Sequence, residues 1–424
     1  MGEISFADVV HQSITFSKDD PNERLVLDLI DTKWVQRLRD ISQTANTKLV
    51  YMFSEHSRFG HSVGVAYLAC QLMARLSRHY YTDIEPYRMA VAVAALLHDI
   101  GHLAPGSHAA QRAWFPDQKD GHEKTAVNII KSDPEICGLL SSKGIVETVA
   151  AILSEDPDLP PWTWEIISGG GWNVDRGNWC TVDSILAGVS YGKYNIPALT
   201  DAILLTKDKH LALQESRLDA MLHFAISRQA MYRQVYQHRV LLACDILAQS
   251  IVMRARDLIK HDNFADIFCD QTMQHALHAE TTEDLSLQDI FKMRESWFKY
   301  HLGCWSDSSD PILADLSSRL LYRRLLKTVR INDDDDEEKL TQEAEAAVTK
   351  CGYDPRYYLF KVKTADINAG DAEQSILVQM DNGQIKPFYK SEPLYSSMLM
   401  ESKTELRQWL ALPEDAKKLL KRER

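Results

Sequence analysis

The sequence predicts a mainly α-helical fold with a small α+β lobe at its C-terminal end. Two observations point there. Apolar residues recur at helical spacing through most of the first 310 residues. Beyond that point Tyr357–Lys363 and Ser375–Met380 alternate like strands. A length of 424 residues exceeds one average domain and allows a sizeable core. The expected division is a helical domain over 1–310 and a lobe over 311–424 carrying a β-hairpin and a terminal helix.

Taken in order, Leu25, Leu29, Val35 and Leu38 fall on one helical face, with Asp31-Thr32 interrupting the run. Ser62–Ser77 is rich in small and straight-chain apolar residues and predicts a strong helix. Tyr87–His98 predicts a mostly buried helix, and Glu123–Ser132 begins another. Gly144–Ser154 and Leu218–Ile251 continue the pattern, the second long enough for one helix or two. Pro157, Pro160 and Pro161 break it, and Ser168-Gly169-Gly170-Gly171 forms a flexible approach to Asp175. The acidic run Asn332–Glu338 is expected as a solvated loop. Asp381-Asn382-Gly383 offers a hairpin turn into Ile385–Lys390, because Asn-Gly accepts the positive φ of a tight turn. Lys417–Arg422 places cations at the negative end of a helix dipole.

Composition sets further bounds. Hydrophobic content of 45% and charged content of 25% are those of a globular protein. No apolar run approaches the roughly 20 residues needed to span a bilayer, so no membrane partner is expected. Seven scattered cysteines without a CxxC pair suggest free thiols in a reducing cytoplasm rather than a disulfide framework. A net charge of −12 argues against a surface that coats nucleic acid, yet allows a local basic pocket for an anionic substrate.

The chemistry gathers around Leu96-Leu97-His98-Asp99-Ile100-Gly101-His102. By itself His98-Asp99 reads either as a metal-binding pair or as an ordinary helix end, with Asp99 and Gly101 helping the chain turn. Partners are available in His56, His61, His108, His122-Glu123 and Asp175. A set of His61, His98, Asp99 and Asp175 would offer nitrogen and oxygen ligands from three helix ends. Such ligands suit Mn, Mg, Fe, Zn or Ni, and leave positions for water and a phosphate oxygen.

Several ordered blocks then resemble the HD-domain phosphohydrolases, and among them the deoxynucleoside triphosphate (dNTP) triphosphohydrolases, both dGTPase-like bacterial enzymes and the vertebrate SAM-and-HD-domain enzyme. His56–Val65 is similar to that family's HxRFEHSLGV, and Leu97–His102 followed by Ser107-His108 to its CHDIGHxPFSH. The run from Asp175-Arg176 lies ungapped on DRxDYLLRDxxxTGVSYG, its register set by Gly188-Val189-Ser190-Tyr191-Gly192. Met231–Arg239 is similar to the MYRxVYxHK segment. The resemblance implies an HD-domain helical core, a divalent metal on His61, His98, Asp99 and Asp175, and release of inorganic triphosphate and deoxynucleoside from a dNTP.

It further implies His122 as general acid oriented by Glu123, which would raise its pKa, and His102 as a phosphate contact. Arg58, His108, Arg176, Trp179, Arg228, Tyr236 and Gln237 would line the nucleotide. Asp183 would receive the sugar 3′-hydroxyl, with Gln43 close to the sugar. Asp31, Gln36 and Arg39, with Arg239, Arg323 and Lys327, would hold an activating nucleotide between subunits of a homo-oligomer. The chain departs from the family at Trp179 for tyrosine, Asn178 for an acidic residue, Gly60 for glutamate and Thr44-Ala45-Asn46 after Gln43. These departures leave the metal set intact and bear on base and sugar selection. The rival expectations are another HD-type nucleotide phosphatase or phosphodiesterase, and a non-catalytic nucleotide sensor or nucleic-acid-binding module.

Overall fold

A computed structural model describes residues 2–106, 111–118, 121–260, 267–364, 376–402 and 406–420. It opens with an element the helical pattern does not announce, the hairpin β1 (Glu3–Asp8) and β2 (Gln12–Ser17), paired from Glu3↔Ser17 to Asp8↔Gln12. Ile4, Phe6, Ile14 and Phe16 alternate with polar residues, and Ile14 and Phe16 enter the core. The first helix, α1 (Pro21–Ile30), is capped by the Asp20 carboxylate, which accepts from Asn22 N and Glu23 N. It ends at Asp31, as the interruption there predicts, and a short turn over Lys33–Arg37 follows.

The core is a helical layer around two elements, α2 (Arg58–Ile84) and α3 (Arg88–Leu97). Every residue of α3 from Ala90 to Leu97 is buried, which fits its lack of a polar face. Burying Leu96 and Leu97 contributes about 1.5–3 kcal/mol each against leaving them in water. On this pair pack α1, α5 (Val146–Leu153) and α6 (Val174–Leu186), while α4 (His122–Ser132) lies against α5. The long stretch after Leu218 resolves as two helices, α7 (Leu218–Met231) and α8 (Arg239–Lys260), joined by one π-helical turn over Tyr232–Tyr236. The wider turn occurs where Tyr232 and Tyr236 must share a face with Trp179.

The C-terminal strands do not form a free-standing lobe. One sheet has the order β5-β9-β6, from β5 (Lys327–Ile331), β6 (Phe360–Lys363) and β9 (Gln408–Leu412). It and the helix α9 (Pro311–Leu321) pack on α8. A second sheet joins β3 (Ile203–Leu205) and β4 (Leu211–Gln214) to β7 (Leu377–Gln379) and β8 (Ile385–Pro387), with β4 parallel to β7. Residues on both sides of the expected 310/311 boundary thus share one sheet. Gly383, at φ +82°, makes the turn into β8. That strand stops at Pro387, shorter than expected, and Phe388–Ser391 turns helical. The acidic run is a loop only in part. Asp336 caps α10 (Glu337–Lys350), and Glu337 and Glu338 occupy its first turn, where the helix dipole favours negative charge.

Candidate active site

His98 and Asp99 lie where α3 ends, in a tight turn closed by Ile100 N to Leu97 O (3.2 Å) and His102 N to Asp99 O (3.1 Å). Gly101 permits this turn to press on α4. A Cβ there would stand 2.0 Å from the His122 carbonyl oxygen. The same turn is held from behind by the buried Arg37, whose guanidinium donates to the carbonyls of Ile100 and His102 on one side and of Ile290, Phe291 and Met293 on the other. Burial, aided by Arg294, pulls the Arg37 pKa down to about 9.

The ligand atoms of His61, His98 and Asp99 all lie within 4.8 Å of one another. Asp175 Oδ1 joins them from the start of α6, 2.9 Å from His61 Nε2 and 3.6 Å from His98 Nε2. The other ring nitrogens are engaged. His61 Nδ1 meets Asn178 Oδ1 at 2.9 Å, and His98 Nδ1 meets the Ala95 carbonyl at 2.9 Å. Both contacts need the proton on Nδ1, which leaves each Nε2 as a lone pair facing the carboxylates. Neither Nε2 makes an aligned hydrogen bond among the described residues. Two buried imidazole lone pairs converging on two carboxylates fit a divalent cation. Without one, His98 holds a proton in place of its lone pair. Burial opposes charge on His98, yet Asp99 and Asp175 outweigh it and raise its pKa to about 9. Burial likewise raises the carboxyl of Asp175, but His61 and His98 bring it well below the ordinary range.

A second group sits on the other side of Asp99. His102 Nε2 is 3.2 Å from Asp99 Oδ1, and the rings of His102 and His122 stack at 4.0 Å with 15° between planes. Burial and the Arg58 charge keep His102 well below its ordinary pKa. Burial also lowers His122, and Glu123 does not reverse this. The Glu123 carboxylate is 3.9 Å from His122 Nε2 and more than half exposed, beyond hydrogen-bond reach, so the expected lift of the His122 pKa is corrected by burial.

The residues expected to line the nucleotide fall into several placements. Arg58 is buried, donating to Asp99 Oδ2 (2.7 Å) and the Gly106 carbonyl (2.8 Å), so in this structure it answers the Asp99 charge. Asp183 is gripped by two donors, His56 Nε2 (2.6 Å) and Tyr236 Oη (2.5 Å). Trp179, Tyr232 and Tyr236 form an aromatic cluster with centroids 5.2–5.9 Å apart, and Arg228 lies over Tyr232 at 5.4 Å. Arg176 reaches the Gly171 carbonyl at 3.4 Å, and Gln237 closes the π turn through its backbone. Gln43 donates its backbone N–H to the His56 carbonyl at 3.1 Å. His108 lies outside the described residues.

The expected activator residues occupy two surface sets. Arg39 donates to Gln36 Oε1 (2.8 Å) and lies over Phe59 at 3.6 Å, while Gln36 Nε2 donates to the carbonyl of Ile30, the residue before the exposed Asp31 that ends α1. Arg323, at φ +57°, donates to the Leu49 carbonyl at 2.7 Å, and Lys327 lies 3.6 Å from Glu414. Arg239 is exposed at the start of α8. Among the described residues no hydrogen bond or ion pair joins the two sets.

Sequence reasoning missed two residues. Asn178 registers there only as a departure, yet it holds His61. The signal was Gly64, where a Cβ would stand 2.5 Å from Asn178 Nδ2. His56 was a motif position without a role, and its bond to Asp183 spans 127 residues.

Residues 58–189 match the HD domain, a span that includes all four expected metal ligands. The chain is 29% identical over 413 residues to the uncharacterized protein YwfO of Bacillus subtilis, covering 94% of this chain and 90% of that one. It is 25% identical over 294 residues to the deoxynucleoside triphosphate triphosphohydrolase SAMHD1 of Mus musculus, covering 59% of this chain but only 44% of that protein. In fold it is similar to a phosphohydrolase from Bacteroides thetaiotaomicron, with a TM-score of 0.82 at 21% identity over 97% of this chain and all of the other. The chain thus matches the HD domain over residues 58–189, shares its helical fold with a solved phosphohydrolase, and over part of its length resembles the deoxynucleoside triphosphate triphosphohydrolase SAMHD1 in sequence.

Proposed function

We propose that this chain is a metal-dependent dNTP triphosphohydrolase that cleaves at the α-phosphorus to give deoxynucleoside and inorganic triphosphate. The observation that carries the reading is the pairing of two sites around Asp99: a cation-fitting cluster of His61, His98, Asp99 and Asp175, and the stacked His102 and His122 beside it. Similarity to SAMHD1 supports the dNTP as substrate. A divalent cation at the first site supplies Lewis acidity toward the phosphate and a water of lowered pKa. Asp99 and Asp175 hold the charge it needs, and Asn178 and the Ala95 carbonyl aim the two imidazoles. His122 delivers a proton to the departing 5′ oxygen. Its resting ring is neutral by burial, and the polyphosphate's negative charge favours the protonated form at that position. His102, also neutral, sets the face on which His122 stacks. The aromatic cluster of Trp179, Tyr232 and Tyr236 offers a stacking surface for the base.

The same reading places an activating nucleotide on the exposed cations Arg39, Arg239, Arg323 and Lys327 in a homo-oligomer, where one subunit's set would meet its neighbour's. The free thiols support a reducing compartment, the cytoplasm. The deciding experiment incubates the metal-loaded protein with each dNTP alone and in mixtures and resolves the products by ion exchange. Inorganic triphosphate with free deoxynucleoside is expected, and turnover confined to mixtures would mark the activator. Phosphate released from a deoxynucleoside monophosphate, with no triphosphate from any dNTP, would replace this reading by that of another HD phosphohydrolase.

A further inference from the structure

The resemblance behind the reading just proposed implies that Asp183 receives the sugar 3′-hydroxyl, and the inference here rests on that reading. Asp183 is buried in α6, and both its oxygens are engaged: Oδ1 with His56 Nε2 at 2.6 Å and Oδ2 with Tyr236 Oη at 2.5 Å. A carboxylate only accepts, so the His56 ring carries its proton on Nε2 at that contact, and each oxygen keeps a second lone pair for a ligand hydroxyl. His56 also acts through its backbone. Its carbonyl accepts from Gln43 N at 3.1 Å, and the neighbouring Ser42 and Ser57 pair as an antiparallel bridge. Two buried polar atoms on these segments, Gln43 Oε1 and His56 Nδ1, have no hydrogen-bond partner among the described residues. Orphaned polar atoms of this kind are costly in a protein interior unless something else completes them.

We propose that His56 is the positioning residue of the sugar subsite: its ring fixes the Asp183 carboxylate and its backbone fixes Gln43, so that both meet the deoxyribose from one rigid frame. Tyr236 grips the other carboxylate oxygen and carries the aromatic cluster, so base and sugar contacts share that frame. The effect of His56 is confined to recognition of the 3′-hydroxyl, because its ring bonds to Asp183 rather than to the histidines and carboxylates of the cation-fitting cluster.

The test compares kcat/KM of the wild type, His56→Ala and His56→Gln on a dNTP and on its 2′,3′-dideoxy counterpart. For His56→Ala, kcat/KM on the dNTP should fall about 10- to 100-fold, the range for losing a hydrogen bond to a charged group. On the dideoxy substrate, which lacks the hydroxyl, the fall should be less than about threefold on the same reasoning. His56→Gln places an amide N–H near the position of Nε2 and should recover most of the loss. An equal fall on both substrates in a folded variant, with unchanged melting temperature, would overturn the inference and leave the triphosphohydrolase reading standing, as would a His56→Gln enzyme no better than His56→Ala. Wild-type protein that releases no triphosphate from any dNTP mixture would overturn the reading itself, and the inference with it.

Discussion

At the scale of single residues, the contacts around Asp99 divide into those that hold charge and those that aim rings. Asp99→Ala removes the carboxylate shared by the cation-fitting cluster and His102, and His122→Ala removes the proposed proton donor. Each is expected to lower dNTP turnover at least about 100-fold at unchanged fold, measured by triphosphate release. Asn178→Ala is subtler. It frees His61 to rotate and should weaken metal affinity about 10- to 100-fold in a calorimetric titration, since partners that orient a ligand act at that level. An affinity within twofold of wild type would show that Asn178 only fills space. Away from the site, burial raises Asp245 to about pH 6, with Asn46 Nδ2 its hydrogen-bond donor at 3.1 Å. The unfolded carboxyl loses its proton near pH 3.9, the folded one only near 6. Across that window the folded state holds the extra proton, so stability falls as pH rises, by about 1–3 kcal/mol in all. Asp245→Asn abolishes the titration. Its melting temperature should gain on the wild type between pH 5 and pH 8, and a constant offset would contradict the assignment.

Elements decide how those residues meet. The turn after α3 and the first residue of α4 touch only because Gly101 has no side chain. Gly101→Ala would drive a methyl into the His122 carbonyl, and overpacking of that kind costs about 1–3 kcal/mol. The expected result is a lower denaturation midpoint together with loss of turnover, because His122 shifts with its helix. Gly60 is the matched control, lying in α2 where an added Cβ would meet nothing within 4 Å. Gly60→Ala should leave turnover unchanged and stabilise by about 0.5–1 kcal/mol through helix propensity. The π turn between α7 and α8 is the other such element. It sets Tyr232 and Tyr236 on Trp179 and brings the Tyr236 hydroxyl onto Asp183.

Across the whole molecule, the C-terminal residues complete the helical core. β7 pairs with β4 across the sequence, Ser250 Oγ donates to the Tyr357 carbonyl at 2.7 Å, and Tyr357 Oη donates to Asp257 at 2.7 Å. A chain ending at residue 310 would therefore strip α8 of its cover and leave β4 an open edge. It should fail to show a cooperative thermal transition. A sharp melt from that fragment would show that the helical domain over 1–310 folds without the C-terminal lobe.

Helices were legible wherever apolar spacing was strong, as in Tyr87–His98, and so was the clustering of the expected metal ligands, because blocks of sequence in a fixed order carried it. The resemblance had named His61, His98, Asp99 and Asp175, and folding brings their ligand atoms together from three helix ends. The N-terminal hairpin was missed although Ile4, Phe6, Ile14 and Phe16 alternate, since short strands carry a weaker signal than long helices. The acidic run was half misread because a helix start and a solvated loop both favour Asp and Glu. What the sequence by itself determined was local: helix periods, turn residues and which histidines and carboxylates to expect together. Only the tertiary structure decided the partners. Arg58 turned to Asp99, Asn178 held His61, burial outweighed Glu123 at His122, and His56 met Asp183. Each depends on distances between segments far apart in the chain and on exclusion of water, which no spacing along a sequence encodes.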